Sequence, residues 1–403
     1  MSHRRIAVAA NAICYASYLL IGALGGAVGP TLGPFAAQVG VGLSTIGVML
    51  ATRSLGYLAG ALGSTRWIDR VRLPRGLAVA ALLVGGSLAS LPWTRSLGLL
   101  VALVAPLGFA TAGLDVGVST ILVRAHRDRA APFISALHFC YGAGGLAAPF
   151  LVAAFAAGRE TLVYPLLAAG FGLLAVVLLL LRDVPPQPVS PRESFVSSRP
   201  ATPSAARAAG GEPAALGRRF LAATTVILIY VGAEMVFASW LFVFVDLRFG
   251  AALATSVTGV FWAAFTLSRL AAVFAARCVP PERALAVAFV GGLLSATLLS
   301  LLPHARSVVW IGTIGVGAGV GPIYPNVVTA YSHRYELNGR RFGAIAVASC
   351  TGSMVFPWLA GRLLDVGGPV VVPAITTGLL AAAAGAALWF FRRRAETTHA
   401  PMP

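Results

Sequence analysis

The chain has 403 residues, of which 58% are hydrophobic and only 11% charged, and it carries a formal net charge of +17. Soluble globular domains are about one quarter charged, so this composition excludes that class. The excess charge is thirty arginines with no lysine. They fall between apolar runs rather than on one face or patch, so no nucleic-acid partner is expected.

A helix of about 20 residues crosses a ~30 Å hydrocarbon layer. In chain order, twelve runs meet that requirement: Ile6–Val28, Ser44–Ser64, Gly76–Trp93, Leu97–Val123, Phe133–Ala157, Leu162–Leu181, Phe220–Val245, Ala254–Ala276, Ala284–Leu302, Val308–Tyr331, Phe342–Leu364 and Pro369–Phe391. Arg4 and Arg5 precede the first run as they would a secretory signal. The run exceeds the usual apolar core of about 7–15 residues and lacks a small-residue cleavage site, so it reads as a membrane span. Cys14, Cys140, Cys278 and Cys350 lie in or beside apolar segments, which points to packing rather than to a disulfide framework.

Arginine collects on one side. With both termini in the cytoplasm, 23 arginines fall in inner loops and four (Arg95, Arg159, Arg248, Arg306) in outer ones, leaving Arg53, Arg269 and Arg362 in or at the ends of spans. Basic loops mark the cytoplasmic side, so the expectation is a multi-pass protein of a bacterial plasma membrane with cytoplasmic termini. Its partners are the lipid bilayer and a small molecule, and the chain is taken as a monomer.

Between spans six and seven, Arg182–Arg219 contains seven prolines and almost nothing to bury. It reads as a cytosolic linker (182–219) between six-helix halves at 1–181 and 220–403. The halves share a faint likeness: Gly108, Asp115 and His126-Arg127 in the fourth span are spaced as Gly315, Pro322 and His333-Arg334 in the tenth, and Cys140-Tyr141-Gly142 matches Cys350-Thr351-Gly352. Several spans are rich in Gly and Pro, as in Gly29-Pro30, Gly142-Ala-Gly-Gly145 and Gly321-Pro322-Ile-Tyr-Pro325. Glycine permits close helix contact, and proline interrupts a membrane helix only where it is buried or beside a cavity. An all-α protein of two pseudo-symmetric six-helix halves, with binding at their interface, fits a secondary transporter.

Only Asp115 and Glu234 among thirteen carboxylates lie deep inside apolar spans, one in each half. A charge at that depth costs roughly 2.5 kcal/mol or more, so it persists where it faces a cavity, finds a partner or takes up a proton. Asp115 therefore reads either as a coupling or substrate-contact site or as a fixed ion pair with Arg53 in the second span. Glu234 has no basic residue in its own span and reads as a proton carrier, an oxygen ligand for sodium, or a protonated, hydrogen-bonded structural residue. His138, at a depth close to Asp115, is a relay candidate or a fixed hydrogen bond between helices.

Thr65-Arg66-Trp67-Ile68-Asp69-Arg70, followed by Arg72 and Arg75, resembles the loop signature of the major facilitator superfamily, with Thr65 in place of its usual glycine. Gly113-Leu-Asp115-Val-Gly117, Ala136-Leu-His-Phe139 with Gly142-Ala143, and Tyr230-Val-Gly-Ala-Glu234 resemble its branch of fucose permeases and sodium-dependent glucose transporters. The resemblance implies the superfamily's twelve-helix fold, transport by alternating access, and a cytosolic gate latch formed by Asp69, Arg70 and Arg66. It also implies symport of a small solute, a sugar as its class. Gly26 stands where the fucose permeases carry a first-span carboxylate, and Ser119 replaces the amide after the fourth-span acid. Proton-coupled efflux of a more apolar compound, for which the fifth span lacks the usual Gly-Pro pair, and a non-transporting receptor or assembly protein stay open as alternatives.

Sugars require polar donors and flat apolar faces, which makes Tyr230, Trp240, Trp262, Tyr324, Asn326 and Trp358 the substrate-binding candidates. No phosphate-binding loop and no His/Cys set with metal spacing is present in the sequence. The chain is expected not to be an enzyme and to need no cofactor or metal beyond a coupling ion, proton or sodium.

Overall fold

The computed structural model describes residues 3–68, 73–126, 130–180, 213–332 and 339–392. Among these residues the structure is wholly helical, with fourteen α-helices and no strand. They are α1 (His3–Val39), α2 (Leu43–Ile46), α3 (Val48–Ile68), α4 (Leu73–Ser90), α5 (Leu97–His126), α6 (Ala130–Ala153), α7 (Val163–Leu180), α8 (Pro213–Phe249), α9 (Ala251–Ala275), α10 (Pro281–Leu301), α11 (Arg306–Val320), α12 (Ile323–Ser332), α13 (Gly339–Gly367) and α14 (Val371–Arg392). Twelve segments are long and apolar enough to cross a membrane, because α2 with α3 and α11 with α12 each form one crossing. The sequence-predicted linker up to residue 212, and Asp69 and Arg70 of the loop signature, lie outside the described residues, as does the side chain of Arg66.

Two spans differ from their sequence-predicted form. The first does not stop at Val28 but runs on to Val39 with Pro30 and Pro34 inside it. Neighbouring helices and the Thr31 hydroxyl, which bonds back to the Ala27 carbonyl at 2.8 Å, sustain the turn there. The tenth span is interrupted at Gly321-Pro322, where α11 ends and α12 begins. Pro322 and Pro325 remove two donors from the helical ladder within four residues.

Within the first half α1 packs on α6, α3 on α5 and α4 on α7; within the second, α8 packs on α13 and α14, and α11 on α9 and α10. The duplication is visible in the turns. Glycines in the left-handed region close four connections, Gly40, Gly158, Gly250 and Gly368, and these pair across the halves at one offset (250 − 40 and 368 − 158 are both 210). All four turns lie at the end of the bundle opposite the chain termini. Cys140 and Cys350 keep the same offset (350 − 140 = 210), so the register of the four turns extends into α6 and α13.

The halves meet along α6 with α9, α3 with α13 and α1 with α8. Small residues make this possible: a methyl added at Gly142 would strike Thr266, one at Gly145 the Trp262 ring, and one at Gly29 would sit 3.1 Å from the Ser239 carbonyl. Between α3 and α13 the Ser54 hydroxyl donates to the Ser353 carbonyl at 3.2 Å. Leu173, Leu180, Val287 and Leu294 are exposed on the outer faces. Such surface suits lipid and no aqueous solvent.

Candidate functional site

Asp115 stands eleven residues before the end of α5, and Tyr57 stands eleven before the end of α3 (126 − 115 and 68 − 57). At about 1.5 Å per residue both lie ~16 Å from the same end of the bundle. The helices approach closely enough for them to meet, because a methyl at Gly108 would collide with the Arg53 carbonyl and one at Gly60 with the Phe109 carbonyl. The Tyr57 hydroxyl donates to Oδ2 of Asp115, and the Tyr18 hydroxyl of α1 donates to Oδ1. Ser119, one turn beyond Asp115, lies 3.0 Å from the Tyr18 oxygen. Hydrogen bonds to a charged group contribute roughly 1.5–3 kcal/mol each, so two such donors hold this half-buried carboxylate without a cation.

The ion pair with Arg53 is not found among the described residues. Its backbone is pressed onto Gly108, and Tyr57, one turn on, takes the place at Asp115 that an arginine would fill. His138 on α6 makes no hydrogen bond to Asp115 among the described contacts. Its ring stands edge-on to Tyr18, with centroids 5.8 Å apart. His138 is exposed although it lies deep in the bundle, which is the position of a side chain lining an internal cavity.

Tyr141, three residues along α6, connects the halves. Its ring meets Tyr18 edge-on at 6.5 Å and Trp262 of α9 at 5.8 Å. Trp262 continues to Phe265 at 5.7 Å, and the Arg269 guanidinium lies 4.1 Å over the Phe265 ring. The Trp262 indole N–H is buried without a hydrogen-bond partner. A buried donor left unpaired is costly, and here it stands beside the space between the halves.

Arg269 leads to Glu234. Its Nη2 is 3.7 Å from Glu234 Oε1, both side chains being largely but not wholly covered, and its Nε donates to the Gly321 carbonyl at 3.0 Å. Tyr230, one turn before Glu234 on α8, contacts Glu234 Oε2 and lies 2.7 Å from the Val320 carbonyl. A tyrosine hydroxyl has one proton and here faces two acceptors. It donates to an ionised Glu234, or, once Glu234 holds a proton and donates to it, to Val320. The protonation state of Glu234 is thereby written into which contact reaches the break between α11 and α12.

The remaining candidates are dispersed. Trp240 is fully buried, its N–H donates to the Pro357 carbonyl at 2.9 Å and its ring covers Gly361, so it joins α8 to α13 rather than facing a cavity. Asn326 is likewise turned inward on its own helix, its amide donating to the Pro322 carbonyl at 2.8 Å. Tyr324 is half-buried with its hydroxyl against Ser349. Trp358 is exposed, with Arg362 5.8 Å over its ring. Of the six, Trp262 and Tyr230 make direct contacts within the carboxylate network, and Tyr324 lies within electrostatic reach of Arg269 and Asp115.

Sequence reasoning missed Tyr18, Tyr57, Tyr141 and Arg269. A depth count from the helix ends would have matched Tyr57 to Asp115. Arg269 stood out as an arginine within a span, but nothing in one sequence says that α9 lies against Glu234. Among the described residues no group of three or more His, Cys, Asp or Glu side chains is placed to hold a metal ion.

The sequence model of the Major Facilitator Superfamily matches residues 14–357. Two similar proteins are the Sodium-dependent glucose transporter 1 of Xenopus laevis, 25% identical over 83% of this chain and 72% of that one, and its namesake from Homo sapiens, 26% identical over 91% and 77%. In fold the chain is similar to crystal structures of the nucleoside transporter NupG. A point variant of it aligns with a TM-score of 0.74 at 14% identity over 96% of this chain and all of that one, and a second structure aligns with a TM-score of 0.69 at 11% identity.

Proposed function

Because the chain belongs to the Major Facilitator Superfamily, and is therefore a multi-pass membrane transporter and not an enzyme, we propose that it symports a small hydroxylated solute with protons by alternating access. One observation carries this reading. Each half holds a single deep carboxylate bonded by tyrosine hydroxyls: Asp115 by Tyr18 and Tyr57 from α1 and α3, and Glu234 by Tyr230 one turn earlier on α8. Such groups load and release a proton as water access alternates, since burial favours the neutral form and hydration the charged one. The solute class is taken from the sugar carriers to which the chain is similar and from the aromatic faces of Tyr141 and Trp262 between the halves. Loop arginines support cytoplasmic termini.

A more apolar cargo is the second reading, favoured by the commitment of the Asn326 amide to Pro322, which leaves few neutral polar groups for a polyol. Uptake of radiolabelled hexoses into proteoliposomes under imposed proton or sodium gradients decides between them. On the proposed reading a proton gradient alone drives accumulation, and Glu234→Gln removes the pH dependence. Uptake that instead needs sodium, with Glu234→Gln raising the concentration required, refutes proton coupling. Efflux of hydrophobic cations with no hexose uptake replaces the sugar reading.

A further inference from the structure

The two deep carboxylates are held differently, and Arg269 is the difference. Asp115 is satisfied by two hydroxyls, whereas Glu234 also faces a guanidinium. In an unbroken helix the Gly321 carbonyl would accept from the residue four positions on. That residue is Pro325, which has no N–H. Arg269 Nε supplies the missing donor at 3.0 Å while Nη2 approaches Glu234 Oε1 at 3.7 Å. The neighbouring Val320 carbonyl lies 2.7 Å from the Tyr230 hydroxyl, which also touches Glu234.

Five oxygens therefore form one linked cluster at the break: Glu234 Oε1 and the Gly321 carbonyl face Arg269, and the Tyr230 hydroxyl joins Glu234 Oε2 to the Val320 carbonyl. Carboxylate plus main-chain carbonyls freed by a broken membrane helix is a donor set for a hard monovalent cation. That position is held by a guanidinium anchored two turns along α9 from Trp262 and resting on the Phe265 ring.

We propose that Arg269 is the covalently tethered occupant of an oxygen-lined cation site, so that Glu234 is charge-balanced without a metal ion, and that removing this side chain opens the site to sodium. The inference deepens the proton-coupled reading, on which it rests, by giving the reason why Glu234 exchanges a proton rather than a metal cation. Arginine suits the role because it does not deprotonate and its fork serves the carboxylate and the carbonyl together.

The test is thermal unfolding of the purified full-length protein in sodium chloride against choline chloride at equal ionic strength. The wild type melts at the same temperature in both. Arg269→Ala melts higher in sodium, saturably with concentration, and this response disappears when Glu234→Gln is added. Arg269→Lys, which restores a tethered charge, returns to indifference. Arg269→Gln, which keeps a donor for Gly321 but no charge, is run beside the alanine variant in case the latter does not fold, and it too gains a sodium response. Sodium stabilising the wild type as much as the variants overturns the proposal, as does any folded neutral variant that melts alike in the two salts. The readout is cation binding, so loss of proton-driven uptake would sink the coupling reading without disturbing this result.

Discussion

Gly142→Ala probes how tightly the two halves are locked. The new methyl would lie 2.7 Å from Thr266 Cβ and 2.6 Å from its Cγ2, with Oγ1 nearer still. Carbon atoms pack best about 3.5–4.0 Å apart. Rotating Thr266 moves Oγ1 and Cγ2, but Cβ is fixed to the α9 backbone, so α6 and α9 must separate by about 1 Å. Overpacking of this kind costs roughly 1–3 kcal/mol. Because the two helices belong to different halves, the cost falls on the packed arrangement of the halves and not on either half alone. Other arrangements should gain about 5–150-fold in relative population. Spin labels at the exposed Gly42 and Ala252, one in each half, read that population by electron–electron double resonance. The variant should show a new, longer distance and slower transport. Gly172→Ala, where nothing stands within 4 Å of the added methyl, should match the wild type. An unchanged distance distribution and melting temperature in Gly142→Ala would refute the close approach on which the argument rests.

Asp115→Asn should abolish gradient-driven accumulation while counterflow exchange of labelled solute persists; normal accumulation would show that Asp115 is not a coupling site. Tyr57→Phe removes one of two donors to Asp115 and, at roughly 1.5–3 kcal/mol for such a bond, should move the pH midpoint of uptake by about 1–2 units, measured against Tyr164→Phe as a tyrosine distant from the carboxylate. Asp69→Asn should raise labelling of cysteines introduced near the ends of α5 and α12 on the side of the chain termini if Asp69 latches a gate there, and unchanged labelling with normal transport would leave it a loop residue.

The twelve crossings were legible because they rest on local quantities, a run of apolar residues against a fixed membrane thickness. What was illegible depended on which helices touch. The apolar run predicts a first span ending at Val28, yet α1 continues through Pro30 and Pro34 to Val39. Asp115 and Glu234 stood out by charge alone. Their partners on other helices come from α1, α3 and α9, and the tyrosines among them are a residue type that the same sequence also uses for packing: Tyr164, equally buried, merely bonds Thr31 at 2.7 Å.

The break in the tenth span shows where sequence and structure join most closely. Pro325 determines that the Gly321 carbonyl lacks its helical donor, and that much follows from the sequence alone. The hydrocarbon offers no water to replace the lost bond, so the carbonyl must be met by protein or by a cavity, and here a side chain meets it. Among the described residues, the charged groups in contact there are Glu234, which cannot donate when ionised, and Arg269, which can donate to the carbonyl and the carboxylate together. Here a cation fills the vacancy in the ladder, and the same cation faces the glutamate one helix away. The glycine-proline element, the arginine and the glutamate form one electrostatic unit. A change at Pro325 that restored an N–H would free Arg269 from the break and leave it to Glu234 alone.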